Sequence, residues 1–77
     1  MRPPKLNYKW GTQKYRIWEY MRNWRSATNH ELGRISGALR YGARIWEINR
    51  DLPWPWVIVT RRIRRGIHEY KLTKVRG

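Results

Sequence analysis

Residues 28–72 carry the pattern that most limits what this chain can become: a capped short helix, a second helix with arginines on its outer face, and a β-branched hairpin. Thr28-Asn-His-Glu31 has the form of a capping box, in which the Thr hydroxyl and the Glu carboxylate each accept from the other residue's backbone N–H. A helix is therefore expected from Asn29, brief, with Leu32 and Ile35 turned inward and Ser36-Gly37 ending it. From about 40 to 51, Tyr41, Ile45, Ile48 and then Leu52 fall at i, i+4, i+7 and i+11, the spacing of one buried face. Pro53 stops this helix, because the residue before a proline is pushed out of the α region. The run Val57-Ile-Val-Thr-Arg-Arg-Ile63 reads as a strand, Arg64-Arg65-Gly66 as a turn, and 67–73 as the returning strand. Alternation places Ile58 and Thr60 inward with Tyr70 and Leu72, although Val57, Val59 and Ile63 leave that assignment open.

Upstream, Thr12 is placed to cap a first helix over about 13–24, with Ile17, Met21 and Trp24 on its stripe and Tyr20 or Trp18 widening it. Ser26 and Ala27 then read as a short link. Residues 1–11 open with Pro3-Pro4 and carry Arg2, Lys5 and Lys9, which suits a basic arm, extended or disordered. The domain is thus expected over 12–73, with 74–77 as a tail.

A chain of 77 residues buries only about 60% of its unfolded surface, so the core must be small. There is no cysteine to staple it or to supply a thiolate metal site. No apolar run approaches the roughly 18 residues of a membrane span, and the first residues lack the apolar stretch of a signal peptide. These features predict a soluble protein without a membrane partner, either cytoplasmic and nucleoid-associated or virus-encoded and intracellular.

Charge narrows the partner. Eighteen Lys and Arg against five Asp and Glu give a formal +13, well beyond the needs of solubility, and imply an anionic polymer. Thirteen of those cations are Arg, whose planar fork grips phosphate or a guanine edge at two points where Lys offers a point charge. A basic protein of ribosomal or capsid type has the same balance.

On the third helix, the face away from the apolar stripe offers Arg40, Ala43, Arg44 and Glu47, flanked by Trp46, Asn49 and Arg50, with small Gly42 and Ala43 permitting close approach. Arg40, Ala43, Arg44 and Glu47 are the expected base contacts, with Arg40 and Arg44 setting specificity, and Asn49 suits adenine weakly. The competing reading is a solvated face on which Glu47 neutralises Arg44. At the hairpin tip, Arg61, Arg62, Arg64 and Arg65 crowd four cations into five positions, a self-repelling set that an anion relieves. Charge can also protect a sheet edge. Asn29 and His30 occupy the first turn of the second helix, where free N–H groups favour a phosphate, and Arg50 adds a further backbone contact.

Helix, capped helix, turn, helix, hairpin is the order of the winged helix-turn-helix domain. Glu31-Leu32, Arg40-Tyr-Gly-Ala-Arg-Ile45 and Thr60-Arg-Arg-Ile63 resemble small phage or prokaryotic members of it, over about 13–73. The resemblance implies an α+β fold of three helices followed by a two-stranded β-hairpin wing, with the third helix in the major groove and the wing against the flanking backbone or minor groove. It also implies a sequence-specific duplex-DNA-binding protein of transcription-regulating or phage and mobile-element type. A homodimer is favoured, because one small module supplies little specific interface. One departure is the stretch 36–43, longer than a tight turn, which leaves the start of the recognition helix open.

Six Trp and five Tyr with no Phe are too many for so small a core, so some are expected at the surface. Exposed Trp beside Arg suits stacking on unpaired bases, the mark of an RNA-binding ribonucleoprotein component. Trp46, Trp54 and Trp56 alternatively form a patch by which an adaptor or inhibitor grips a host or partner protein. No enzyme, cofactor or metal site is expected. His30 and His68 are each followed by a Glu, but Glu31 already caps a helix and no third nitrogen ligand exists. Neither a nucleophile–base pair nor a phosphate loop occurs.

Overall fold

The computed structural model describes residues 2–37 and 41–75. Three helices and a three-stranded antiparallel sheet follow one another as α1 (Gln13–Trp24), β1 (Ser26–Thr28), α2 (Asn29–Ser36), α3 (Tyr41–Asp51), β2 (Trp56–Arg64) and β3 (Ile67–Lys74). The α+β class holds, and the sheet has one strand more than a two-stranded hairpin.

The extra strand is the Ser26-Ala27 link. It lies antiparallel to β3, pairing Ser26 with Lys71, Ala27 with Tyr70 and Thr28 with Glu69, so the sheet order is β1-β3-β2. Arg25, in the left-handed region at φ 67°, turns the chain out of α1, and its carbonyl accepts from the Leu72 N–H at 2.7 Å. Three residues are too few to show an alternating pattern, which is why the sequence reads as a link.

The helix ends follow their caps. Thr12 Oγ1 accepts from the Tyr15 N–H at 3.2 Å. At α2 both halves of the capping box form, with Glu31 N–H donating to Thr28 Oγ1 at 3.3 Å and Thr28 N–H to Glu31 Oε1 at 2.9 Å. Gly37 closes α2 at φ 69°, a conformation that favours glycine. Among the described residues helix α3 runs from Tyr41, toward the end of the stretch 36–43. Arg40, one of the two residues expected to set specificity, lies outside the described residues.

Ile17, Trp18 and Met21 of α1, Leu32 of α2, and Ile45, Ile48 and Leu52 from α3 onward meet Ala27, Trp56, Ile58 and Leu72 in one core. Trp24, expected on the α1 stripe, is 69% exposed. It is the last residue of the helix, past the edge of the core, and its ring lies 6.3 Å from that of Tyr20. The hairpin register pairs Ile58 with Leu72 and Thr60 with Tyr70, as expected. Ile58 and Leu72 are buried and Tyr70 half-buried, but Thr60, expected inward, is exposed because the core does not extend that far along β2. Val57 and Val59 therefore take the other face.

Described residues on either side of the expected domain are tied into the fold. Leu6 and Tyr8 pack on the core, and Tyr8 donates its hydroxyl to Asp51 Oδ2 at 2.9 Å. Burial first, and that carboxylate second, push the Tyr8 pKa up. Lys74, assigned to the tail, pairs with Trp56 as the last residue of β3, and Val75 N–H donates to the Pro55 carbonyl at 2.7 Å. Among the described residues no helix is long and apolar enough to cross a membrane.

Candidate nucleic-acid interface

Four arginines sit around the hairpin tip, and the structure separates them. Arg61 stands opposite Glu69 across the ladder and pairs with it at 3.1 Å. Arg62, Arg64 and Arg65 are exposed and, among the described residues, have no carboxylate partner. A bulge intervenes, since Arg62 faces His68 while Arg64 faces Ile67, leaving Ile63 as the extra residue and 48% exposed. Two positions on β2 thus answer one on β3, so Arg62 and Arg64 leave the ladder on opposite faces. Three unneutralised guanidinium groups fan around the tip.

The tip is held to α2. Asn29 Nδ2 donates to the Gly66 carbonyl at 3.1 Å, and its Oδ1 accepts from the His68 N–H at 3.1 Å. Asn29 was expected to meet phosphate; its amide instead clamps the turn, in which Gly66 adopts φ 78°. His30 is exposed in the same first turn of α2.

Tyr41, the first described residue of α3, meets Tyr70 edge-on at 6.2 Å, while Asn49 near its other end bonds the backbone of Ile58. Helix α3 therefore touches the hairpin at two levels, Tyr41 at Tyr70 in mid-ladder and Asn49 at Ile58 nearer the base. Gly42, Ala43, Trp46 and Arg50 are exposed on its outer side. Arg44 and Glu47 are drawn toward α1: Arg44 Nε donates to Gln13 Oε1 at 3.1 Å and Nη1 to Glu47 Oε1 at 2.8 Å. Lys14 Nζ reaches Glu47 Oε2 at 3.1 Å. Lys14 first, then Arg44, hold the Glu47 carboxyl below its ordinary pKa. The neutralised-face reading of Glu47 and Arg44 thus describes the geometry, with Lys14 and Gln13 as unforeseen members. Arg44 Nη2 takes part in none of those bonds.

Asn49, considered as an adenine reader, spends its amide on the β2 edge. Ile58 N–H donates to Asn49 Oδ1 at 3.0 Å, and Asn49 Nδ2 donates to the Ile58 carbonyl at 3.3 Å. Of the three tryptophans assigned to a partner surface, Trp46 and Trp54 are 64% and 77% exposed, while Trp56 is 7% exposed and part of the core. Arg50 lies against Trp46, its guanidinium carbon 5.1 Å from the ring centroid. Among the described residues no group of three His, Cys, Asp or Glu converges as a metal site would.

Comparison with protein-family models, curated proteins and solved structures finds no match to this chain.

Proposed function

We propose that this protein binds double-stranded DNA sequence-specifically in the manner of a winged helix-turn-helix domain, as a transcriptional regulator or a phage or mobile-element DNA-binding factor. The observation that carries the reading is the anchored hairpin tip, where Arg62, Arg64 and Arg65 stand exposed and unpaired while Asn29 clamps the turn beneath them. Packing three cations without a counter-charge is unfavourable alone and favourable against phosphates. Contact of α3 with α2 and with β2 supports this reading.

In this reading the N-terminal half of α3 enters the major groove. Gly42 and Ala43 let the backbone approach, and Arg44 presents its free nitrogen to a base edge, oriented by Gln13 and Glu47. The tip contacts backbone or minor groove, with His30 at the α2 N-terminus beside it. The experiment is a site selection from random duplexes followed by binding of the selected site. A shared sequence motif, lost when Arg44 is replaced by Ala, supports the reading; recovery of unrelated duplexes overturns the specificity.

A further inference from the structure

We infer that the groove between the C-terminal half of α3 and the base of the hairpin is a second binding site, which takes an acidic polypeptide segment bearing a bulky apolar side chain. The inference does not depend on the duplex-DNA reading.

The groove is a shallow, solvent-open depression of about 470 Å³. Trp46 and Trp54 form its walls, Leu52, Trp56 and Val57 its floor, and Val75 its far rim. Leaving two tryptophans 64% and 77% exposed, with Val75 at 46%, is unfavourable in water and becomes favourable when an apolar group fills the space between them. Cations lie beside this apolar volume. Arg50, 3.7 Å from Asp51, stacks on Trp46 in the groove wall, while Arg25 and Lys74 each lie 5.5 Å from the Trp56 ring centroid. Among the described residues no carboxylate lines the groove itself.

That combination selects the occupant. A second copy related by a two-fold axis would set the same cations face to face, and each copy carries a formal +13. An unpaired base could stack on the exposed rings, but its polar edge would then lie against apolar Leu52 and Val57, and the Asn49 amide is already committed to Ile58. A leucine-sized or aromatic side chain flanked by Asp or Glu satisfies both features at once, filling the slot and neutralising the rim.

The site also stands clear of the tip. Trp56 and Arg64 are the two ends of β2, and at about 3.3 Å per residue they lie roughly 26 Å apart. A partner seated in the groove leaves Arg62, Arg64 and Arg65 uncovered, so one molecule can hold both.

The test is selection of the full chain against a displayed library of random dodecapeptides, then fluorescence anisotropy with the enriched peptides. We expect enriched sequences to share a bulky apolar residue beside two or more acids. Their affinity should fall at least tenfold in Trp54→Ala and in Trp46→Ala, with thermal midpoints unchanged, and stay within twofold in Arg64→Ala. Duplex DNA should not displace them. Peptides indifferent to both Trp substitutions, or enriched without acids, overturn the inference. So does self-association of the protein that Trp54→Ala abolishes, which would put a second copy in the groove. Binding of single-stranded DNA weakened by Trp54→Ala while the peptides are untouched would assign the groove to a base.

Discussion

Asn29 and His68 are joined across 39 positions of sequence by a 3.1 Å hydrogen bond from the His68 N–H to the Asn29 side chain. The same amide donates to Gly66, so the first residue of α2 fixes the position of the hairpin turn. An isolated two-stranded tip frays in water; this one is braced against a helix. Preorganisation of the tip makes a separable prediction, because Asn29 carries no charge. Asn29→Ala should weaken duplex binding several-fold through lost order, while leaving the salt dependence of binding unchanged. A reduced salt slope in that variant would mean that Asn29 sits on phosphate instead.

Arg64→Ala and Arg65→Ala should each lower affinity for all duplexes alike and reduce the salt slope by about one. Arg61→Ala should change the slope less, since Glu69 already offsets that charge. Titration of each variant against a random duplex across a salt series checks this. Equal slopes for Arg61→Ala and Arg64→Ala would contradict it.

Glu47 restrains two cations, Lys14 and Arg44. Glu47→Gln removes one negative charge beside the proposed groove-facing surface and should raise affinity for random duplex by about two- to tenfold, with a steeper salt dependence. Arg44→Ala should do the reverse at selected sites, flattening discrimination by about 1–3 kcal/mol. Unaltered discrimination in Arg44→Ala would remove that residue from the reading surface.

Asn49 occupies both polar groups of Ile58 on the outer edge of β2. Asn49→Ala should cost about 1–3 kcal/mol, measured by urea denaturation, because it leaves a donor and an acceptor without a partner. It should also promote association, since an uncovered strand edge templates pairing. Unchanged stability would show that water replaces the amide freely.

Glu31 accepts from the Tyr20 hydroxyl and from the Thr28 N–H, and these bonds, the hydroxyl first, hold its carboxyl below the ordinary value of 4.5. A depressed folded pKa means that its stabilisation is complete above about 4.5 and is lost as pH falls through the lower folded value. Wild type should therefore lose more stability than Glu31→Gln between pH 7 and pH 3. Parallel losses would contradict the role of this carboxylate.

Much of the fold is legible because its signals are local. Thr28 and Glu31 are three residues apart, the Tyr41-Ile45-Ile48-Leu52 stripe repeats along α3 and the residue after it, and the buried Ile58–Leu72 pair of the hairpin follows from alternation. The third strand was hidden, since Ser26–Thr28 becomes a strand only because β3 returns beside it. The site was legible in its cations and illegible in their partners. Glu69 finds Arg61 across a ladder, and Gln13 finds Arg44 across 31 positions, contacts that no spacing rule links. The two asparagines show the same limit. Asn29 and Asn49 look like ligand-reading amides in sequence, and each is consumed by backbone, Asn29 by the hairpin turn 37 positions on and Asn49 by Ile58 nine positions on.

The central claim is that the anchored tip and α3 together bind duplex DNA. Fluorescence anisotropy with random duplex DNA, single-stranded DNA and hairpin RNA across a salt series tests it most directly. Three unpaired arginines predict preference for the duplex and a log–log slope of about three or more in magnitude. Preference for single strands or hairpin RNA, or binding that vanishes by physiological salt, would contradict it.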